Sequence, residues 1–416
     1  MKTRQPGFSL IELMISVLIG MLAMVFVMRT TVSFESNRRS SLGGSDSMQN
    51  GVVALSSMEN DAAKAGWGLN DPLLFGCAAR FYDSQNYADA NVAGGVAMRL
   101  APVQVVFGLV TANGANPDQI SFASGTSDAG TGSAGTAAAA AAGAMALSIN
   151  TASPWGFNIR DVLAIAPTTV GGTCAIAQVS GTVPGSVTPP VPSTLNIAND
   201  GTTGTRFNAP GGLLAAFAGL NQAKVFNLGD GNTLSFHTWD VNNGVLRLRA
   251  TDLTGASNAP TSAVAGIVSI KALYGFDTRP STTLPSTPCV ASLFMPDCGL
   301  TISQWSTSMI TADQAGPLTI PQAYQRLAAL RLAVVARSRE PEKADASGKC
   351  PNTNPPIPPA TTPQMPTVFS SQQPSAIATV PIQVNVAVAG DTIDWTCYRY
   401  RVFETIVPLR NSGWMP

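Results

Sequence analysis

The chain opens with MKTRQPGFSLIELMISVLIGMLAMVFVMRT (residues 1–30), in which a short segment carrying Lys2 and Arg4 precedes an apolar run over residues 8–28. At about 1.5 Å of helical rise per residue, this run forms a helix roughly 30 Å long, the thickness of a bilayer's hydrocarbon core. One carboxylate, Glu12, lies near its start. A charge inside a membrane span costs about 2.5–3.5 kcal/mol on insertion scales, so Glu12 indicates a function.

Three interpretations of this segment compete. A cleaved secretory signal peptide needs small residues near residues 25–35, where the chain has Val27, Met28 and Arg29. An ordinary signal anchor leaves Glu12 unexplained. In the third interpretation, Gly7, Phe8 and Glu12 at this spacing resemble the N-terminal segment of the type IV pilin and pseudopilin family.

This resemblance implies how the N terminus is processed. In that family a prepilin peptidase cleaves after the glycine on the cytoplasmic side, the new N-terminal Phe is N-methylated, and the apolar helix is retained. The resemblance therefore implies cleavage between Gly7 and Phe8, methylation of Phe8, and residues 1–7 as the leader. The Glu12 carboxylate can then meet the Phe8 ammonium of a neighbouring subunit, which relieves an unpaired charge in a low dielectric. We predict that Glu12 acts in subunit assembly.

The helix is predicted to continue past the membrane over residues 29–66, because no proline occurs between Pro6 and Pro72. Gly43 and Gly44 predict a kink or local loosening, since glycine costs about 1 kcal/mol relative to alanine in a helix. Gly66 predicts the helix end. Apolar residues at three- and four-residue spacing predict one buried stripe, formed by Met48, Val52, Leu55, Met58, Ala62 and Ala65.

The composition of the rest of the chain is typical of an exported, loop-rich β protein. Only 12% of the residues are charged, while Gly (38) and Pro (30) are abundant; about a quarter charged is usual. The 24 basic and 24 acidic residues balance, so no basic excess indicates a nucleic-acid partner. Composition predicts insertions near residues 123–147, 180–205 and 341–381. The first is expected to be a flexible surface tract or to hold a short helix at its alanines, the second to be a Gly/Pro/Thr loop and the third an irregular connection.

Period-2 alternation and turn residues predict strands in the region 67–416. The predicted extended segments are residues 101–110, 152–166, 234–239, 245–249, 264–276, 330–334 and 395–407. Asn243-Gly244 is a strong hairpin signal, and Pro408 is expected to stop the last strand. In 264–276, one predicted face contains Val264, Val268, Ile270, Tyr274 and Phe276, and the other contains Ser269 and Lys271. Residues 330–334 also fit a helix.

The predicted fold class is therefore α+β: a long N-terminal transmembrane helix packed on an antiparallel β-rich domain with loop insertions. Several segments in order resemble the PilW family of minor pilins. They are residues 58–68, Tyr274-Gly275-Phe276-Asp277, residues 330–338, and residues 398–411 ending in Leu409-Arg410-Asn411. This second resemblance is looser than the N-terminal one, and the three insertions make the chain long for the family.

The two resemblances together imply a structural minor pilin that takes part in initiating or capping a type IV pilus, with roles in twitching motility and adhesion. They imply a single-pass protein of the inner membrane, N terminus cytoplasmic and body periplasmic, that later enters the pilus. Charge alone leaves this orientation open, because arginines also follow the span. The implied partners are other minor and major pilins, the prepilin peptidase and the inner-membrane assembly platform, with a tip adhesin as a further candidate.

Two alternative functions remain open. A minor pseudopilin of a type II secretion system would share the leader and the helix. A tip-displayed adhesion module would use the insertions, residues 341–381 among them, to contact a surface. An enzyme is not predicted, because no G-x-S-x-G motif accompanies the single histidine, His237, which is expected to be an ordinary strand residue.

The six cysteines predict disulfides rather than a metal site, because they form no C-x-x-C pair and the chain is predicted to be exported. Cys289–Cys298 is the first candidate pair, because Pro288 and Pro296 favour a turn between them. Cys350–Cys397 is the second. No cofactor is predicted: Asp230-Gly231-Asn232 starts but does not complete a calcium loop and is expected to be a turn, and the spacing of Asp277, Asp391 and Asp394 specifies no cation.

The arginines near the C terminus have two interpretations. Arg399 and Arg401 share one strand face, which predicts either a solvated edge that discourages strand pairing or, together with Arg410, a subunit contact. The other face, with Tyr398, Tyr400, Val402 and Ile406, is predicted to be core.

Overall fold

The computed structural model describes residues 9–69, 71–84, 96–126, 133–138, 140, 143–150, 156–184, 192–198, 206–208, 222–252, 260–279, 300–342, 344–350, 353 and 363–411. The cleavage residues Gly7 and Phe8 and the candidate pair Cys289–Cys298 lie outside them. The helices are α1 Leu10–Lys64 and α2 Ile320–Gln325, with a 3-10 turn at Trp395–Cys397.

The strands up to residue 200 are β1 Cys77–Phe81, β2 Val96–Leu100, β3 Val103–Val106, β4 Val110–Thr111, β5 Gly114–Ala115, β6 Gln119–Ser124, β7 Ser133–Gly135, β8 Ala146–Ser148, β9 Asp161–Pro167, β10 Thr173–Gln178, β11 Gly181–Pro184 and β12 Pro192–Asn196. The later strands are β13 Ala223–Asp230, β14 Ser235–Asn242, β15 Val245–Ala250, β16 Thr261–Ala265, β17 Ile267–Phe276, β18 Gln304–Ser306, β19 Leu327–Arg337, β20 Thr367–Val368, β21 Ile382–Gln383 and β22 Tyr400–Pro408.

The first helix is continuous for 55 residues, so Gly43 and Gly44, where a kink or local loosening is predicted, do not interrupt it. Glycine is used there for close approach: a Cβ at Gly43 would lie 3.1 Å from the Cβ of Ser338. The helix ends at Lys64, and Gly66 follows with φ +87°, a left-handed conformation that suits glycine. The predicted helix end is therefore confirmed.

The face of α1 that packs on the strands is rotated from the predicted stripe. Met58, Ala62 and Ala65 are buried as expected, but Met48 and Val52 are 54% and 51% exposed. Small residues take their place on the packed face, namely Gly43, Ser47, Gly51 and Ala54. Small side chains let the helix axis approach the sheet closely, so the true stripe is set by size as well as by hydrophobicity.

The packed half of α1 runs alongside β22 in the same direction. Gly44 lies beside Arg401, Gly51 beside Phe403, and Gly66 beside Asn411. From Arg401 to its end at Pro408, β22 advances about 23 Å beside α1. The last contact, between Gly66 and Asn411, lies in the segments that follow the two elements.

Two sheets pack with α1 to form what we call the proximal module. Their strand orders are β18-β17-β19-β22 and β16-β15-β14-β6-β3, and all their pairings are antiparallel. One hydrophobic core joins both sheets to α1. β14 and β15 meet at Asn243 and Gly244, whose φ angles of 48° and 75° are typical of a type I′ turn. The predicted hairpin is confirmed.

The central strands β17 and β19 are buried on both faces. Residues 330–334 lie within β19, so the predicted strand is confirmed and the alternative helix is not formed. The alternation predicted for residues 264–276 is wrong in two respects. Gly266 interrupts the segment and a register shift follows it, so that Val268 packs on the opposite side from Ile270. Ser269 and Lys271 are buried, because a second core covers that side of the sheet.

A second β unit, the distal module, is built from β1, β2 and β7–β13 and begins where α1 ends. Its larger sheet has the order β2-β1-β10-β9-β13-β7, with β1 and β10 parallel, and its smaller sheet has the order β11-β12-β8. One core fills the space between the two sheets. Another covers the opposite face of the larger sheet and includes Leu69 and Leu74, which follow α1.

The predicted insertions are therefore more ordered than their composition suggested. The region 123–147 contributes β7, with Ala134 fully buried, and the region 180–205 contributes β11 and β12. Alanine and glycine need little space between sheets, so a small-residue tract can be core. The described residues of the region 341–381 are mostly irregular, as predicted, but Val368 and Phe369 are fully buried against β17 and β19.

Several strand boundaries differ from prediction. The segment 101–110 contains only β3 and the start of β4, separated by residues 107–109. β9 begins at Asp161, and part of the predicted segment 152–166 lies outside the described residues. The last strand, β22, begins at Tyr400 rather than near Trp395, because Trp395–Cys397 forms a 3-10 turn. It ends at Pro408, which is its last residue.

Candidate assembly surface

The N-terminal part of α1 is an isolated apolar helix. Residues Leu10–Thr31 have a mean hydropathy of 2.6 and no buried residue, and in the described part of the chain this is the one helix long and apolar enough to cross a membrane. Glu12 lies in the first turn, where its N–H donates to Ser9 O at 3.0 Å. Its carboxylate has no ion-pair partner among the described residues. It is therefore available to a group from another molecule.

The apolar surface continues beyond this span on one side of α1. The helix first packs on the proximal module at Gly43, about 18 Å along the axis from Thr31. On the side facing away from the module, Met48, Val52 and Val53 are each about half exposed, at 54%, 51% and 49%. The helix thus presents apolar side chains to a neighbour even where its opposite face is buried.

The C-terminal end of α1 is fastened to the proximal module by His237. Its Nδ1 lies 2.8 Å from Asp61 Oδ2 of α1, and its Nε2 lies 2.8 Å from Asp252 Oδ1. Trp239 Nε1 also donates to Asp61 Oδ2, at 2.7 Å. Both ring nitrogens face carboxylates, so the ring carries two protons and a positive charge. Burial lowers the pKa of His237, but the hydrogen bonds and charges of Asp252 and Asp61 outweigh it and raise the pKa to about 9.

The expectation that His237 is an ordinary strand residue is therefore incomplete. It lies in β14 as predicted, yet its side chain joins the helix to the sheet. Asp61 is distant in sequence, so neither spacing nor alternation indicated the contact. Ser235 Oγ lies 3.2 Å from Nε2 but shares that nitrogen with Asp252, so the doubly protonated ring is not arranged as a base for this hydroxyl.

Other buried charges in the proximal module are paired internally. Lys271 Nζ pairs with Asp118, whose second oxygen accepts from Ala272 N at 3.0 Å. Arg331, fully buried, donates to Glu404 Oε2 at 2.6 Å. Burial raises the pKa of Asp118 against the opposing effect of Lys271. These pairs hold strands together and leave no charge free for chemistry.

The three aspartates considered for a cation are occupied by protein donors. Asp277 accepts a hydrogen bond from Arg279, and Asp391 accepts one from Arg337. In each carboxyl group the effect of the hydrogen bonds outweighs that of burial and lowers the pKa. Asp394 accepts from Thr396 N at 2.9 Å. Within the described residues no group of three or more His, Cys, Asp or Glu side chains is placed to hold a metal ion.

The C-terminal arginines have separate environments. Arg399 pairs with Glu342 at 3.0 Å, Arg401 is exposed beside α1, and Arg410 lines a cleft near the end of α1. The prediction that Val402 is core is wrong, because it is 38% exposed. Tyr398 is buried, whereas Tyr400 and Ile406 are partly buried against the second core of the sheet.

Two disulfides lie in the described residues. Cys350–Cys397, the second pair considered from the sequence, has a Cα–Cα distance of 4.7 Å and joins the segment after β19 to the 3-10 turn that precedes β22. Cys77–Cys174 joins β1 and β10 in the distal module, with a Cα–Cα distance of 5.9 Å. The sequence left this second pairing open.

An exposed apolar N-terminal helix that continues as the packed support of an antiparallel β module defines a pilin-like subunit. Residues 236–411 match the family model described as type IV pilus-assembly protein W. Residues 2–28 match the model of the prokaryotic N-terminal methylation motif. The predicted resemblance to the PilW family is thus confirmed, and the chain is a type IV pilus-related pilin.

The PilW match begins at β14 and includes most of the proximal module, so the distal module lies outside it. Both matching models describe structural pilus components rather than enzymes. Searches of curated proteins and of solved structures gave no match to the chain.

Proposed function

We propose that this chain is a minor pilin of the initiation or tip complex of a type IV pilus. Prepilin peptidase cleaves it between Gly7 and Phe8, and Phe8 is then N-methylated. The observation that carries the proposal is α1: an unpartnered apolar span with Glu12 in its first turn, continuous with the helix that supports the PilW-type module.

In this proposal the precursor spans the inner membrane once, with its N terminus in the cytoplasm and its body in the periplasm. The two disulfides support this orientation, because both lie on the C-terminal side of the span and disulfides persist in oxidising compartments. The proposed partners are other minor and major pilins, which pack against α1, and the inner-membrane assembly platform.

The position of the distal module supports a place at the tip. It adds a pair of β-sheets at the end of α1 that is farthest from the membrane span. In a fibre shaft every subunit has neighbours beyond its distal end, and those neighbours would have to accommodate this module. A subunit at the tip has no neighbour beyond it.

Gene deletion with complementation tests the proposal. Loss of surface pili with normal protein secretion, restored by the intact chain, is the expected result. Retained pili with blocked secretion of folded proteins would overturn it and identify a pseudopilin of a type II secretion system.

A second candidate function is display of a binding surface at the tip. The distal module favours it, because this module lies outside the family match. The earlier candidate segment 341–381 is less suited, since Val368 and Phe369 are committed to the core. Ile159 and Val183 of the distal module are 50% and 47% exposed. Ile159→Lys and Val183→Lys should reduce adhesion and leave pilus number unchanged; unchanged adhesion would exclude this part of the surface.

A further inference from the structure

A cleft of about 590 Å³ opens where the distal module, the proximal module and the end of α1 meet. Its walls come from the last turn of α1, the end of β6, the turn between β13 and β14, the residue Asp252 after β15, and the segment after β22. Ligand sites of proteins have volumes of about 300–1,000 Å³ and often lie between domains. The size and position of this cleft are those of a ligand site.

The walls of the cleft are held by specific hydrogen bonds. Asn411 Nδ2 donates to the carbonyl of Ala65 at 3.1 Å and so fixes the C-terminal segment to the end of α1. Thr126 Oγ1 and Thr233 Oγ1 lie 2.9 Å apart across the junction. Asp252 is oriented by His237. These polar groups of the lining are therefore positioned before any ligand arrives, which lowers the entropic cost of binding to them.

The charges in and behind the cleft leave a positive excess. Lys64 and Arg410 line it and form no salt bridge with another described residue. Behind the wall, the His237 imidazolium lies between the carboxylates of Asp61 and Asp252. Three cationic groups thus face two carboxylates, which leaves one positive charge. An anionic group is the complementary occupant.

The uncharged lining adds an aromatic ring and hydroxyls. Trp67 lines the cleft and is 51% exposed, although a large aromatic side chain usually gains by burial. Thr126 and Thr233 are exposed hydroxyls on another wall. An aromatic face, several hydroxyls and unpaired cations together match the apolar ring face, the hydroxyls and the carboxylate of an acidic sugar.

We propose that this junction cleft binds an acidic saccharide chain, of the uronic acid class. The sugar carboxylate pairs with Arg410 and Lys64, its hydroxyls bond to Thr126, Thr233 and Asp252, and a ring face lies on Trp67. This inference goes beyond the assembly role proposed above. Binding is measured on the purified chain, so its failure is distinguishable from a failure of pilus assembly.

Calorimetry on the full chain in detergent micelles, with a hexamer of galacturonic acid as the probe, tests the proposal. The expected result is saturable binding, with the methyl ester of the same hexamer at least about tenfold weaker because it keeps every ring and hydroxyl and loses the charge. Trp67→Ala and Arg410→Gln should each weaken binding about tenfold. Arg339→Gln, an exposed arginine outside the cleft, is the matched control and should bind as the unmodified chain does.

Trp67→Phe keeps an aromatic face and should retain most of the affinity. It therefore distinguishes loss of the ring contact in Trp67→Ala from a general effect of substitution on folding. Absence of saturable binding at millimolar probe would overturn the proposal. Equal binding of the ester would overturn the role of charge. Equal binding of polyglutamate would overturn the saccharide assignment and indicate a peptide site, and an equal loss in Arg339→Gln would indicate non-specific charge attraction.

Discussion

The ring of Phe403 occupies the space that a side chain at Gly51 would need: a Cβ at Gly51 would lie 2.1 Å from Phe403 Cε2. Gly51 is in the middle of the packed half of α1, and Phe403 is in β22, the edge strand beneath it. Glycine is a poor helix former, so its presence is explained by this contact rather than by local preference. The position fixes how close the helix lies to the sheet.

Gly51→Ala is therefore expected to destabilise the folded body, although alanine favours a helix by about 1 kcal/mol. Overpacking typically costs about 1–3 kcal/mol, and here the clash is with a ring held between helix and strand. Gly44→Ala is the matched control, because the nearest atom to its Cβ would be the flexible guanidinium of Arg401 at 3.7 Å. The denaturation midpoint should fall for the first variant and rise for the second.

Equal midpoints for the two variants would show that Phe403 moves aside easily. The pair also shows what the sequence could predict about α1. Continuity, length and the helix end follow from the absence of proline and from Gly66. The packed face does not, because hydrophobicity ranks Met48 and Val52 above Gly51, and the need for a small residue arises from a ring near the other end of the chain.

The His237 contact predicts that stability depends on pH. The folded-state pKa of His237 is raised from 6.5 to about 9, so protonation favours the folded state. The stabilisation is complete below pH 6.5 and is lost as the pH rises towards 9; its full size is on the order of 3 kcal/mol. Thermal unfolding followed across this range should show the decline, and His237→Gln should remove most of it.

Ser235→Ala is the control for that experiment, because Ser235 touches the ring at 3.2 Å but carries no charge. It should keep the pH dependence of the unmodified chain. A flat profile in the unmodified chain would mean that the imidazolium does not contribute to stability. A steep profile in His237→Gln would assign the effect to another group.

Glu12→Gln should insert and be processed normally but enter pili poorly, because it keeps the size of the side chain and removes the charge that we propose pairs with a neighbour's Phe8 ammonium. Immunoblots of sheared pili and of membranes measure the two pools. Ser16→Ala, one turn further along the same exposed helix, is the control and should enter pili at the normal level. Normal incorporation of Glu12→Gln would remove the electrostatic role.

Gly7→Val should block removal of the leader, because a side chain at this position is expected to obstruct the peptidase. The precursor should then keep residues 1–7, as shown by intact mass. The unmodified chain should begin at Phe8 and carry one N-methyl group. Normal trimming of Gly7→Val would place the cleavage elsewhere.

Arg331 is fully buried and is held by Glu404 Oε2 and by Ser371 Oγ at 2.8 Å. Arg331→Met leaves the Glu404 carboxylate without its cation, and removing one partner of a buried pair typically costs about 3–5 kcal/mol. The double variant Arg331→Met with Glu404→Leu should recover part of the loss in denaturation midpoint. Glu404 also accepts from Phe369 N at 2.6 Å, so Glu404→Leu alone is measured as the reference for the loss of that bond. A double variant no more stable than the sum of the two single losses predicts would show that Arg331 acts through its packing on Phe369 rather than through the charge.

Arg331 also shows where sequence reasoning ends for the β region. Alternation predicted a strand correctly, but an arginine in the middle of an alternating segment normally indicates a solvated face. In this chain the segment after β21 and the strand pair β20–β21 cover that face. The part of this cover before residue 382 is rich in proline and was therefore predicted to be an irregular connection. The local sequence pattern predicts the strand. The burial of both of its faces follows only from the tertiary contacts.

The parallel course of α1 and β22 has a mechanical consequence. The two run side by side in the same direction for about 23 Å, with contacts at Gly44 and Gly51 of α1 and at Gly66 just beyond its end. A pull on the N-terminal end of α1, directed along its axis, loads this interface in shear. All contacts then resist together, instead of opening one after another as in peeling. A fibre under tension would transmit force through α1 into the sheet and leave the distal module, attached beyond the last contact, unloaded.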